Sequence, residues 1–156
     1  MDTRSQSSNV VSTVLKRVFG LALAGGMVTA VAGAVLHGLV NAILAARSGD
    51  WETISFYVGA GLGVGGLVSL LVGTIAFGFS GALVPYPSGL AVFSSLCRQT
   101  LLGMAIGSLL GLISGTSLGA ILNLDTFIYA YYTALLLMLG GLVWGVARGT
   151  RQARKS

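Results

Sequence analysis

Charge is what this chain has least of. Only 8% of its 156 residues are Asp, Glu, Lys or Arg, against about 25% in ordinary soluble proteins. Four are acidic, and neither 54–124 nor 126–156 contains a carboxylate side chain. With 54% hydrophobic residues, a water-soluble domain of this length cannot hide its apolar surface, and the surplus needs the bilayer as solvent. One cysteine excludes an internal disulfide. One histidine, His37, with no carboxylate at comparable depth excludes a Ser–His–Asp arrangement, and no His/Cys/Asp/Glu group has metal-ligand spacing. No catalytic, cofactor-binding or metal residue is therefore expected. The two prolines fall together, at Pro85 and Pro87, in a Pro-Tyr-Pro-Ser-Gly run that stops a helix.

What the chain has in excess is glycine, at 24 residues, against an average of about 7% of residues. These glycines sit inside apolar runs, which points to close helix contacts in lipid and not to loops. Four runs, at about 18–46, 54–84, 101–124 and 127–147, each exceed the roughly 20 residues that span the hydrocarbon. None alternates as a barrel strand does. The expected fold is all-α, a four-helix transmembrane bundle over 17–148. A polar N-terminal segment (1–16) precedes it and a basic tail (149–156) follows. Gly59, Gly61, Gly63, Gly65 and Gly66 make a bend or break in the second run an expectation. The stretch from Leu90 to Gln99 is expected to lie along the membrane surface before the third span.

The charges orient the bundle. Arg4, Lys16, Arg17, Arg98, Arg148, Arg151, Arg154 and Lys155 fall on one side, eight of the nine basic residues. The other side holds Arg47 with Asp50, Glu52 and Asp125. The positive-inside rule then places both termini in the cytoplasm, in a plasma membrane of the bacterial inner-membrane kind. Trp51, Phe56, Tyr57, Tyr129, Tyr131 and Tyr132 fall near the outer boundary, and Phe77, Phe79, Tyr86 and Trp144 near the inner one, where such rings settle. Lipid explains the basic flanks, and no folded basic surface remains for nucleic acid.

The most specific pattern is a four-residue ladder of small residues. Gly103, Gly107, Gly111, Gly115 and Gly119 mark the third run. Ala22, Gly26, Ala30, Ala34, Gly38, Ala42 and Ala46 mark the first. Gly61, Gly65, Ser69 and Gly73 mark the second, and Gly141, Gly145 and Gly149 the fourth. A step of four aligns them on one helix face, where a neighbouring backbone can approach. Each interior glycine costs a helix about 1 kcal/mol relative to alanine in water, so such a ladder needs close neighbours. The first and third runs also align at an offset of 81, pairing Arg17 with Arg98 and Ala22 with Gly103. This suggests a duplicated hairpin.

Inside the spans, His37 and Asn41 share one helix face. They line a polar pathway or make a proton-sensitive contact, or they hydrogen-bond a neighbouring helix or reach the outer interface. Asp125 suits the N-cap of the fourth helix and Asn123 the end of the third. Cys97 suits a small apolar filler or a palmitoylation site. Gly61, Gly63 and Gly66 fit a G-x-G-x-x-G spacing but lie inside a span and not after a strand, so no nucleotide site is expected. Two Gly-rich four-span families, the small fluoride channels and the mitochondrial presequence translocases, are similar in span count or zipper packing. Their signature residues have no match here.

The expectation is a non-catalytic small subunit. It would dock against other membrane proteins or copies of itself, with the lipid bilayer as its solvent. The alternative is an oligomeric channel or small-solute transporter.

Overall fold

The computed structural model describes residues 3–49, 54–84 and 90–155. The fold is all-α, with four helices: α1 (Thr3–Ser48), α2 (Ile54–Leu83), α3 (Leu90–Ile121) and α4 (Thr126–Ala153). Val10–Arg47, Ile54–Leu83, Val92–Ile121 and Thr126–Ala153 are each long and apolar enough to cross a membrane. The radial distribution of side chains agrees. Leu, Val and Ile point outward, as at Val31 (67% exposed), Leu67 (61%) and Leu136 (68%). Thr29, Ser69, Ser80, Thr100 and Ser108 are buried with the glycines. Water would reverse that order, whereas lipid accepts it. The chain is a multi-pass membrane protein.

The helix ends follow from local chemistry. α1 stops at Gly49, whose φ of 73° is the left-handed conformation that ends helices. α3 stops at Asn123, φ 52°. There Leu124 N–H donates to Gly119 O (2.9 Å) and Asn123 N–H to Ala120 O (3.4 Å), the paired closing bonds of a Schellman turn. Asp125 then caps α4, accepting from Phe127 N (3.0 Å) and Ile128 N (3.2 Å). Both readings of this turn from sequence hold. Asp50, Trp51, Glu52 and Tyr86 lie outside the described residues.

Three boundaries differ from expectation. The polar start is helical from Thr3, because no Gly or Pro interrupts the chain before Gly20. The segment expected along the membrane surface instead forms the first turns of α3, which starts at Leu90 and not near Leu101. Leu96 and Thr100 are fully buried there, and Gly145 and Gly149 of α4 lie against their backbone. The basic tail continues α4 to Ala153. α2 is unbroken through its five glycines, since Gly61, Gly65 and Gly66 are held against α1.

α1 with α2, and α3 with α4, form two closely packed antiparallel hairpins. Between the hairpins, α1 touches α3 and α4, and α2 touches α4, while α2 meets α3 through side chains, with the Phe77 and Phe93 rings edge-on at 6.2 Å. Phe77, Leu96, Met104, Met138, Leu142 and Val146 fill the middle, with Cys97 half-buried beside them. Phe77, expected at the interface, is instead fully buried. Its ring lies over Gly25, where any Cβ would collide with it. Val40, Leu44, Ala130 and Ala134 form a second cluster nearer the turn end.

Candidate functional site

The glycine ladders make the helix contacts. Gly103, Gly107, Gly111, Gly115, Gly119 and Gly145 are all buried and face the partner helix of their hairpin. A Cβ at Gly103 would strike the carbonyl oxygen of Gly141, and one at Gly141 the carbonyl oxygen of Gly103. At Gly107 the obstacle is Leu137 O, and at Gly111 the Ala134 backbone. Each obstacle is backbone and cannot rotate away. In the first hairpin, Gly61 and Gly65 face Asn41 and His37, Gly26 faces Thr74, and Gly38 faces Leu62.

The closest line on α1 is one step away from the expected ladder. It runs Gly25, Thr29, Gly33, His37 and Asn41, all buried, with Gly26 and Gly38 alongside. Ala46 is exposed. Sequence inspection missed this line because Thr, His and Asn interrupt its run of small residues.

Each hairpin carries one threonine cross-link. Thr29 Oγ1 donates to Ser69 O of α2 (3.0 Å), with Gly25 O (2.9 Å) and Gly26 O (3.0 Å) of its own helix within reach of the same proton. Thr133 Oγ1 lies 2.8 Å from Gly111 O of α3 and 2.6 Å from its own Tyr129 O. At the end where both termini lie, α2 has no basic residue in its last turn. Its terminal carbonyls instead accept from Arg17 Nη1 of α1 (Val84 O, 2.6 Å) and Arg154 Nε of α4 (Leu83 O, 3.0 Å). Ser80 and Thr150 hydrogen-bond beside them at 2.8 Å. Two cations from other helices thus serve the orphan carbonyls and dipole end of α2.

His37 and Asn41 lie together on one helix face, as expected. Both are 1% exposed. Asn41 Nδ2 donates to the carbonyl of His37 on its own helix (2.9 Å) and not to a neighbour. Neither imidazole nitrogen has a hydrogen-bond partner among the described residues. Tyr131 of α4 closes over the ring edge-on, at a centroid distance of 4.6 Å, and Tyr132 packs edge-on against Tyr131 at 5.1 Å. Tyr131 is therefore a helix-contact residue. Ser69 Oγ and Ser108 Oγ also lack partners, although their own helices offered carbonyls.

A buried polar group without its hydrogen bonds costs about 1–3 kcal/mol. His37→Leu keeps roughly the same volume and removes that cost, so the detergent-solubilised protein is expected to melt higher. A lower melting temperature would show that the ring makes bonds this arrangement lacks.

No His, Cys, Asp or Glu side chains gather in threes among the described residues. The buried polar side chains bond a neighbouring helix, as Thr29 and Ser80 do, bond their own helix, as Asn41 and Thr100 do, or have no partner among the described residues, as with His37, Ser69 and Ser108. What the arrangement does chemically is hold four helices at short range. Compared with known proteins, the chain matches no protein family, no curated protein and no solved structure.

Proposed function

We propose that the chain is a non-catalytic subunit of a membrane complex, docked through the outward face of α2. One observation carries this reading. Ser55, Gly59 and Gly63 repeat every four residues on α2, and all three are exposed. Gly59 and Gly63 have nothing within 4 Å of where a Cβ would stand. Internal packing therefore gives no reason for these glycines, while a transmembrane helix from another protein does, because small residues let it approach. The sealed surroundings of His37 and Asn41 favour a scaffold over a conduction path. The basic residues at the end bearing both termini support a cytoplasmic placement of that end, in a plasma membrane of the bacterial inner-membrane kind.

Purification from native membranes in mild detergent tests this. Stoichiometric partner proteins are expected with the wild-type chain. Gly63→Leu is expected to lose them while the isolated variant keeps its fold and melting temperature. A chain that purifies alone, and conducts ions or solutes in liposomes, would instead establish the pore reading.

A further inference from the structure

α2 and α4 run parallel and finish side by side. Between their last turns lies a groove of about 340 Å³, walled by Phe79 and Leu83 of α2 and by Val143 and Ala147 of α4. Arg151 and Arg154 stand at its mouth. Phe79 is 69% exposed and Leu83 52%, so the groove opens sideways, toward the lipid. From Ala76 to Leu83 its α2 wall rises about 10 Å at about 1.5 Å per residue. Ser80 and Thr150, at its floor, satisfy each other, which leaves the wall dry.

Charge at the mouth is one-sided. Arg154 commits Nε to Leu83 O, leaving the face of its Nη groups. Arg151 is exposed and bonds no described residue. Two helix C-termini contribute roughly −0.5 each, which Arg17, Arg151 and Arg154 together outweigh. Neither α2 nor α4 contains an Asp or Glu.

A ligand for this groove must be an apolar chain about 10 Å or more in length, attached to an anionic head, and must enter from the bilayer. We infer that the α2–α4 groove binds one anionic phospholipid. Its phosphodiester pairs with Arg151 and Arg154, and an acyl chain lies along Phe79, Leu83, Val143 and Ala147. Guanidinium groups suit phosphate oxygens because they offer paired donors in a plane. The site requires only that the chain sits in a membrane, so it stands or falls separately from the subunit reading.

Native mass spectrometry of the full chain in mild detergent tests it. The probes are phosphatidylglycerol and phosphatidylcholine with identical acyl chains. Phosphatidylglycerol is expected to be retained preferentially. At roughly one basic residue's worth of surface attraction each, Arg151→Gln should weaken it about fivefold, and Arg151→Gln with Arg154→Gln about thirtyfold. Arg154 also caps α2, so the single Arg151→Gln variant separates lipid loss from unfolding. Ala147→Trp, which fills the groove and leaves every charge, should abolish retention. Arg148→Gln should leave it unchanged, since Arg148 stacks instead over Trp144, 5.1 Å from its ring centroid. Equal retention of both lipids would overturn the site. So would an Arg148→Gln loss matching that of Arg151→Gln, retention that survives Ala147→Trp, or displacement of the lipid by millimolar inorganic phosphate.

Discussion

Gly111→Leu is expected to pull the α3–α4 hairpin apart. Gly111 is buried, and a Cβ there would meet the Ala134 backbone and stand 2.5 Å from Thr133 O. Adding even one methyl group where space is filled costs about 1–3 kcal/mol when neighbours can shift. Here the neighbour is main chain, so the helices themselves must separate. Separation also breaks the bond from Thr133 Oγ1 to Gly111 O, 2.8 Å long; interhelical bonds of this kind average about 0.6 kcal/mol in membranes. It further strips Gly107 and Gly115 of their contacts on either side, so the damage spreads along the ladder. Gly111→Ala should lower stability by about 3 kcal/mol or more, the upper end of the overpacking range, and Gly111→Leu should leave no cooperative melt. Thermal denaturation in detergent, monitored by helical circular dichroism and gel filtration, reads both. A Gly111→Leu protein that melts like the wild type would mean the two helices are not in backbone contact.

The α3 ladder was legible because nothing but spacing is needed to see it. Five glycines at a step of four, unbroken from Gly103 to Gly119, define one face, and that face meets α4. Asn123 and Asp125 were legible for a similar reason: both act locally, through bonds that span at most five residues. α1 was harder. Two adjacent ladders run along it, and the one with more Gly and Ala is not the closer of the two. Thr29, His37 and Asn41 fit the interface because Gly73, Gly65 and Gly61 on α2 leave room for them. Complementarity of that kind is a property of two helices together and cannot be seen on either one alone.

The same limit governs the outward glycines. Spacing sets Gly61 and Gly141 in ladders and leaves Gly59 and Gly140 out, but only the position of the partner helix shows that the latter two face outward. His37 shows it too. The chain contains groups that the imidazole nitrogens would accept as partners, yet the fold brings Tyr131 to the ring by its edge and gives neither nitrogen a partner among the described residues. The α2–α4 groove draws on residues from the middle and the end of the sequence, Phe79 and Leu83 with Val143 to Arg154. Parallel packing of α2 and α4 joins them, and no spacing along the chain announces it.

Two neighbouring glycines test backbone-to-backbone packing in lipid most directly. Gly140 is exposed and has nothing within 4 Å of a Cβ position, whereas a Cβ on Gly141 would strike Gly103 O. The measurement is the thermal denaturation of Gly140→Leu and Gly141→Leu, side by side in one detergent. Gly140→Leu should stay within about 0.5 kcal/mol of wild type, as outward substitutions do, while Gly141→Leu should lose its cooperative transition. Equal melting of the two variants, whether both stable or both lost, would contradict the packing described above.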